Sequence, residues 1–466
     1  MPQTLHYPDL LVCVLAAGKG KRMRSATPKV LHPVLGKAML LHVLHTVEEL
    51  QPSGMVVVTG DGSDKVREHV GQPANLEWVI QDKQLGTGHA VRQCESVCQG
   101  AKHIMIVCGD TPLLRVETLH LLARAHMQSD AEVTFLSAVM EHPFGYGRVI
   151  RDVAGKITAI VEERDASDEQ KAIREVTSGI YCVKQDVLFR LLEKVGNSNA
   201  QGEYYLPDIV PLALDAGMMV DSVSMGDARE IHGVNNRVQL AAAEEVMQRR
   251  IIEDWQMNGV TIEQPGTVRI EASVKIGNDT VIRAGSQLLG STHIGDNCEI
   301  GPYAVLDNAW IDDDCQIYAF SHMNEASAGE ASRIGPFARL RPGAKLDEDV
   351  HIGNFVEIKK SVVGRGSKIN HLSYVGDALV GSRCNIGAGT ITCNYDGANK
   401  HVTEIGDNVF VGSDTKLVAP VKVGDDATIG AGSIITRNVA GGGLTLSARP
   451  DQRHVDNWRR PTKKES

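Results

Sequence analysis

Two groups of residues in this 466-residue chain have types and spacings that could do chemistry. The first follows an apolar run near the amino terminus: Leu15-Ala16-Ala17-Gly18-Lys19-Gly20-Lys21-Arg22-Met23, with Pro28-Lys29 shortly after. A glycine-rich turn after a strand brings backbone N–H groups close to phosphate oxygens, and Lys and Arg add positive charge. The turn lacks the third glycine of G-x-G-x-x-G, and it lacks the G-x-x-x-x-G-K-[ST] pattern of a Walker A loop. Spacing alone leaves a phosphate cradle and a plain turn equally open. Gly109-Asp110 closes a second apolar run, where an acid is ordinarily a turn or cap residue. The second group is Arg341, Lys359, His371 and Tyr374, joined by Asn385 and the run Asn394-Tyr395-Asp396-Gly397. Arg and Lys can hold a phosphate, and a neutral His can take a proton from an attacking nucleophile. A lone His is more often a surface residue; these neighbours favour the chemical reading.

The first group sits on short apolar runs that alternate with helix-period segments. Asp9–Leu15 reads as a buried strand, and Met39, Leu40, Val43, Leu44, Val47 and Leu50 form a helical stripe. Val56–Thr59, Leu76–Ile80, Ile104–Cys108 and Val133–Val139 read as further strands, with helical patterns around His89–Val97 and Glu117–Met127. Such alternation predicts a mostly parallel sheet with helices on both faces. A long helix should follow from about Arg229 to Asn258, with Val238, Ala242, Val246, Arg249 and Ile252 at helical spacing and Gly259 as its stop.

Beyond Gly266 the period becomes six. Aliphatic residues recur at Ile270, Ile276, Ile282, Leu288, Ile294, Ile300 and Leu306, slip by one residue to Ile311 and Ile317, and resume at Ile334. The series continues through Leu340, Leu346, Ile352, Ile358, Val363, Ile369 and Val375, and closes with Ile405, Val411, Leu417, Val423, Ile429 and Ile435. Neither a helix nor an ordinary strand has this period. A solenoid does, if each side takes six residues: one inward aliphatic, a short strand and a turn. Positions 341, 359 and 374–377 are then one coil apart and should stack on one face at about 4.8 Å. Thr392–Glu404 breaks the period and should protrude as a loop, where solenoids commonly carry binding function.

Composition narrows the classes. With 42% hydrophobic and 23% charged residues and a formal net charge of −10, the chain reads as globular and soluble. That charge argues against a nucleic-acid partner, and the basic tail Arg459, Arg460, Lys463, Lys464 reads as a solvated end. The nine cysteines form no C-x-x-C pair and suggest buried reduced thiols. The start of the sequence lacks signal-peptide features, and no run reaches the ~20 apolar residues of a membrane span, so a cytoplasmic protein without membrane insertion is expected.

LAAGKGKRM followed by PK resembles the signature of sugar-phosphate nucleotidyltransferases, and the likeness continues in chain order. Gln81 with Leu85–Ala90 is similar to the family's base-reading segment, and Gly109-Asp110 to its metal carboxylate. Gly145-Tyr146-Gly147-Arg148, Glu162 and Gly233-Val234-Asn235-Asn236 are similar to its sugar-binding and second metal-ligand segments. The six-residue period resembles the hexapeptide repeats of left-handed parallel β-helix acyltransferases. Over nearly the whole chain, including Gln201–Tyr205, the sequence resembles the family of bifunctional N-acetylglucosamine-1-phosphate uridyltransferase/glucosamine-1-phosphate acetyltransferases. The resemblance implies an α/β domain at 1–237, a helical linker at 238–258 and a left-handed β-helix at 259–466. It implies UTP, N-acetylglucosamine-1-phosphate, glucosamine-1-phosphate and acetyl-CoA as substrates, a homotrimer, and Mg²⁺ held by Asp110 and Asn235. UDP-N-acetylglucosamine would be bound by Leu15, Ala16, Ala17, Gly18, Lys29, Gln81, Gly86, Thr87, Cys108, Gly109, Asp110, Gly147, Glu162, Thr177 and Asn235. Arg22 and Lys29 would carry transition-state charge. His371 would be the base of acetyl transfer, with Arg341, Lys359, Tyr374 and Asn385 around the sugar. Acetyl-CoA would lie by Ala388, Asn394, Tyr395, Ser413, Ala431 and Arg449, with the Ala388 N–H as oxyanion donor. Two positions depart from the pattern: Cys108 stands where a Tyr often precedes Gly-Asp, and Thr177 where an Asn usually meets the sugar. The family's Arg after the last coil aligns with Ala448, one place before Arg449. The competing readings are a pyrophosphorylase whose β-helix only assembles or senses a regulator, and a non-catalytic subunit of the same build.

Overall fold

A computed structural model of the chain describes residues 6–447 and 454. It divides into two compact units, Met1–Met247 and Gln248–Ser466, so the border falls inside the Arg237–Met257 helix.

In the first unit the apolar runs become the strands of one sheet. Its order is Val220–Ser224, Val133–Val139, Glu175–Lys184, His103–Cys108, Tyr7–Ala16, Pro52–Thr59, Leu76–Ile80. The pairings are parallel except for Glu175–Lys184, which runs against both neighbours and carries the Arg148–Arg151/Ile157–Val161 hairpin at one end. The first strand lies between the second and His103–Cys108, so the chain crosses over on either side of it. In open α/β sheets such a switch point leaves a crevice at the carboxyl ends of the strands. The Met39–Glu49 helix buries Met39, Leu40, Val43, Leu44 and Val47, as its stripe predicts, and the second expected helix runs Val116–Ser129. The third stops early, at Arg92.

The long helix forms, but it begins at Arg237 and not near Arg229, because Ala228–Ile231 makes a separate 3-10 turn that ends in extended backbone at His232. Its buried positions are also not the expected stripe. Val238, Ala242 and Arg249 are exposed. Ala243 packs with Val34, Met39, Leu113 and Val234 of the first unit, whereas Ile252 joins the core of the second. One continuous stripe was the wrong expectation because the two ends of the helix serve different cores.

In the second unit each side buries two residues where one was expected, the series aliphatic and a smaller residue two places before it, as at Cys298/Ile300, Ala304/Leu306 and Val356/Ile358. Three parallel sheets of eleven, ten and nine strands result among the described residues. This is the β-helix that the period predicts. The slips have a single location. The spacing shortens to five at Leu306–Ile311, Met323–Ala328, Ile358–Val363 and Val375–Val380, always between the second sheet and the third. The off-period loop between Cys393 and Thr403 leaves at that same corner. Met323, Ala328, Val380, Ile386 and Thr392 fill the gaps in the series and are buried. Several turns pass through a left-handed backbone (φ near +55°) at Asp279, Asn297, Asp314, Asn408 and Asp426, residue types that tolerate it.

All nine cysteines are free; seven are buried, and Cys108 and Cys393 are half-buried. No helix among the described residues is long and apolar enough to cross a membrane.

Candidate functional site

The glycine-rich turn leaves the first strand at the switch point. Gly20 is left-handed (φ 58°), and a Cβ there would come within 2.7 Å of the Lys29 Cβ. The missing side chain lets Lys29 cross the turn and reach Asp110, at the end of the His103–Cys108 strand. Lys29 Nζ makes an ion pair with the Asp110 carboxylate and donates to Asn235 Oδ1 at 2.9 Å. Arg22 donates to the same oxygen at 3.0 Å. Asn235 is oriented for this, because its amide nitrogen donates to the Gly233 carbonyl at 3.2 Å. Val234 N–H donates to the Asp110 carbonyl at 2.9 Å, which ties the two segments together.

A carboxylate and an amide oxygen thus converge on one cation, the Lys29 ammonium. Two hard oxygen donors, with phosphates and waters to complete the shell, fit a divalent ion of the magnesium kind. Among the described residues no three His, Cys, Asp or Glu side chains gather to hold a metal, so an all-protein cage is not built here.

A cavity of about 510 Å³ opens beside this cluster, lined by Leu15–Lys19, Lys29, Gln81, Gly86, Thr87, Cys108 and Asp110. Gln81 is buried, and its amide nitrogen donates to the Gly86 carbonyl at 3.0 Å and contacts His89 Nδ1 at 2.9 Å. The loop is fixed from outside by Tyr204, whose N–H donates to Leu85 and whose carbonyl accepts from Gly88, both at 2.8 Å.

A second cavity of about 180 Å³ shares Leu15, Thr87 and Cys108 with the first and is lined further by Tyr146, Gly147, Glu162, Thr177 and Tyr181. Burial, then the charges of Asp208 and Asp165, push the Glu162 carboxyl up to about 7. Burial, with Asp110 adding to it, pushes the Cys108 thiol up to about 12, so the thiol stays neutral at the junction. Thr177 contacts the Tyr181 hydroxyl at 3.3 Å through its own hydroxyl. Every first-unit residue expected from the sequence lies at one or other cavity or in the Lys29–Asp110–Asn235 cluster, with Gly109 in the strand end between them. Lys21, Gln84 and Glu203 also line the first cavity; Lys21 and Glu203 lie in matched segments without being singled out, and Gln84 lies in none.

In the second unit the site is a pair of columns. The register Leu340↔Ile358↔Val375 stacks Arg341, Lys359 and Gly376. Tyr374 therefore stands over Glu357, not Lys359, because one side between them is a residue short. Its hydroxyl returns to the column by lying against Gly376, where a Cβ would collide with it. Arg341 donates to Glu357 at 2.8 Å, and Lys359 lies 3.6 Å from Asp377. Asp377 also accepts from the Asn394 amide. Glu357 and Asp377 set the positions of Arg341, Lys359 and Asn394. Neither is among the expected site residues, because a strand Glu and a turn Asp in a β-helix look like any others.

The second column runs one corner away. The registers Ile352↔Ile369↔Ile386↔Val411↔Ile429 put Asn354, His371, Ala388, Ser413 and Ala431 at one coil position. Pro302 and Pro336 occupy it in earlier coils, so this position needs no N–H for the fold. The Ala388 N–H has no acceptor in the chain among the described residues. Asn385 is exposed on the strand before Ala388, and the loop bearing Tyr395 is closed by Asp396. That carboxylate accepts from Ala398 N–H (2.8 Å), Asn399 N–H (2.7 Å) and His401 Nε2 (2.7 Å), which hold it well below the usual carboxylate range. Ala448, Arg449 and the basic tail lie outside the described residues.

A glycine-rich turn at a sheet switch point, followed in the same chain by a β-helix of six-residue period, is the build of a nucleotidyltransferase joined to a hexapeptide-repeat transferase. A family model described as MobA-like NTP transferase domain matches residues 12–176. One described as bacterial transferase hexapeptide (six repeats) matches 273–308 and 403–437. Proteins named bifunctional protein GlmU match along the chain. That of Ralstonia nicotianae is 48% identical over 97% of this chain and 98% of its own. That of Marinobacter nauticus is 47% identical over 97% and 99%, and that of Pseudomonas putida 46% over 98% and 99%. The chain belongs to the bifunctional GlmU family. It is an enzyme with two transferase activities of UDP-N-acetylglucosamine synthesis, acetyl transfer to glucosamine-1-phosphate and uridylyl transfer to N-acetylglucosamine-1-phosphate. The two competing readings fall with that assignment.

Proposed function

We propose that the two activities divide between the two units and use the residues just described. In the first unit the base and ribose of UTP lie in the larger cavity, read by Gln81, Gly86 and Thr87. N-acetylglucosamine-1-phosphate lies in the smaller one against Gly147, Glu162 and Thr177. A sugar-phosphate oxygen attacks the α-phosphorus and pyrophosphate leaves, so the enzyme needs positioning and charge stabilisation but no covalent nucleophile. Arg22 and Lys29 supply positive charge to the phosphoryl oxygens as it develops. Asp110 and Asn235 would hold Mg²⁺, which when bound neutralises phosphate charge. Lys29 then turns from the carboxylate to the phosphates.

In the second unit Arg341 and Lys359 bind the phosphate of glucosamine-1-phosphate, with Tyr374 and Asn385 around the sugar. His371 accepts the amine proton as nitrogen attacks the thioester carbon, and the Ala388 N–H steadies the oxyanion. Acetyl-CoA follows the column through Ser413 and Ala431, flanked by Asn394 and Tyr395, with Arg449 as a further contact. The enzyme works in the cytoplasm as a homotrimer. The observation that carries the first half is the convergence of Lys29, Asp110 and Asn235, distant in sequence, on one point. The test is to assay Asp110→Asn and His371→Ala for both activities. Each is expected to lose one and keep the other, and equal damage to both in a folded variant would sink the division.

A further inference from the structure

Two neighbouring strands of the first β-helix sheet differ from the rest of it. The other described strands of that sheet are two residues long, whereas His351–Asn354 and Lys368–His371 run for four. Their pairing extends to Asn354↔His371. The extension is possible because Gly353 has no side chain; a Cβ there would collide with the Asn370 carbonyl oxygen. Asn354 Oδ1 consequently lies 3.2 Å from His371 Nδ1.

Both backbones are pinned. Leu372 N–H donates to the Asn354 carbonyl at 3.1 Å. The His371 carbonyl accepts from Ser373 Oγ at 2.8 Å and from Gly389 N–H at 3.3 Å. Phe355, next to Asn354, stacks on Phe337 with ring centroids 5.4 Å apart.

We infer that Asn354 is a positioning residue for acetyl transfer, its carboxamide oxygen accepting the Nδ1 proton of His371 so that Nε2 is left unprotonated for the substrate amine. This rests on the reading of His371 as the base. A neutral imidazole carries one N–H, and the acceptor it finds selects the tautomer. An acceptor at Nδ1 leaves the lone pair on Nε2. In the reaction the N–C bond forms at the acetyl carbon and the C–S bond breaks. The amine proton passes to Nε2 and on to the departing thiolate. While Nε2 holds it the ring is a cation, and the Nδ1–H···O bond becomes charge-assisted and stronger. Asn354 therefore acts most when the base is loaded. On the strands flanking His371 the ionisable groups are His351 and Lys368, three residues earlier, and Tyr374 follows on the next side. The Asn385–Gly389 segment adds none.

The test uses the full chain, with uridylyl transfer as an internal check of integrity. Asn354→Ala should lower the acetyl-transfer kcat by about 10–100-fold, the usual cost of removing an orienting partner, with KM for glucosamine-1-phosphate little changed. Asn354→Asp keeps an acceptor at Nδ1 but places an anion beside the imidazolium. The acid limb of its kcat–pH profile should move up by about one unit, a shift that a merely structural role would not produce. An Asn354→Ala kcat within about twofold of the parent, or an unmoved limb in Asn354→Asp, overturns the inference. His371→Ala is run beside them. If it keeps its activity the base assignment itself falls, and the inference with it; if it loses activity while Asn354→Ala does not, only the inference falls.

Discussion

The two units build their sites in opposite ways. In the first, the clustered side chains come from positions 22, 29, 110 and 235, brought together by strand ends at a switch point. Lys29 and Asp110 keep only 11% and 19% of their side-chain exposure. In the second, the site is a repeat of positions: Arg341, Lys359 and Gly376 in one column, Asn354, His371 and Ala388 in another. His371 is exposed, and its environment is made by neighbouring coils, not by depth. A crevice lets burial tune side chains. A solenoid wall offers regular repetition but little shelter, so orientation must come from partners such as Asn354, Glu357 and Asp377.

If that contrast is right, single substitutions should separate the activities completely. Asp110→Asn is expected to have the largest effect. It removes the charge proposed to hold a divalent ion and leaves the Lys29 ammonium without its ionic partner. Uridylyl transfer should fall by about 10³-fold or more, while acetyl transfer stays near the parent rate. Paired steady-state assays on one preparation decide it, and parallel losses would show that Asp110 supports the fold. His371→Ala comes next, with a fall of about 10²–10⁴ in acetyl-transfer kcat and KM less affected. A folded variant with under a threefold drop would move the search for the base to Glu357 or solvent.

A stability effect of intermediate size tests the solenoid itself. Ile358 is fully buried in its column, so Ile358→Ala should cost the second unit about 2–5 kcal/mol. The loss should appear in the acetyl-transfer melting profile and leave the uridylyl profile in place. A common shift of both would mean that the units do not unfold independently.

The sequence reveals the two sites to different degrees, for the same physical reason. Coil arithmetic alone brings Arg341 and Lys359 together, since a period of six turns sequence distance into height. It misplaces Tyr374, because a side one residue short shifts every later position. The slips at Met323–Ala328 and Val375–Val380 are hard to see where a small residue or the off-period loop interrupts the aliphatic series. In the first unit no arithmetic relates Lys29 to Asn235; only the motif resemblance groups them, and their contact is a product of sheet order. Asn354 is marked in neither way, and Asp377 only as one of the stacked positions 374–377. Their types are ordinary for strand ends and turns, and only the register shows which residues they face.

The smallest expected effect bears most directly on the contrast, since it asks whether depth in the first unit really tunes a group. Glu162 lines the smaller cavity, and burial with the Asp208 and Asp165 charges raises its carboxyl to about 7. In the unfolded chain it should titrate near its ordinary 4.5. Between those values the folded protein holds a proton that the unfolded chain has released, so stability falls as pH rises. The contribution is fully present below about 4.5 and is lost as pH passes through about 7, a total on the order of 3 kcal/mol. Glu162→Gln mimics the neutral acid at every pH and should remove that slope. The variant should be near the parent in stability at pH 5 and more stable than it at pH 8. Trp78 is the one tryptophan of the first unit, so urea unfolding can be followed there once Trp255, Trp310 and Trp458 are replaced by Phe. A neutral Glu162 can also donate a hydrogen bond to a sugar oxygen, so KM for N-acetylglucosamine-1-phosphate should rise above pH 7 in the parent and stay flat in Glu162→Gln. If the variant keeps the parent's slope in both measurements, burial does not tune this carboxyl, and the contrast between crevice and wall reduces to one of geometry.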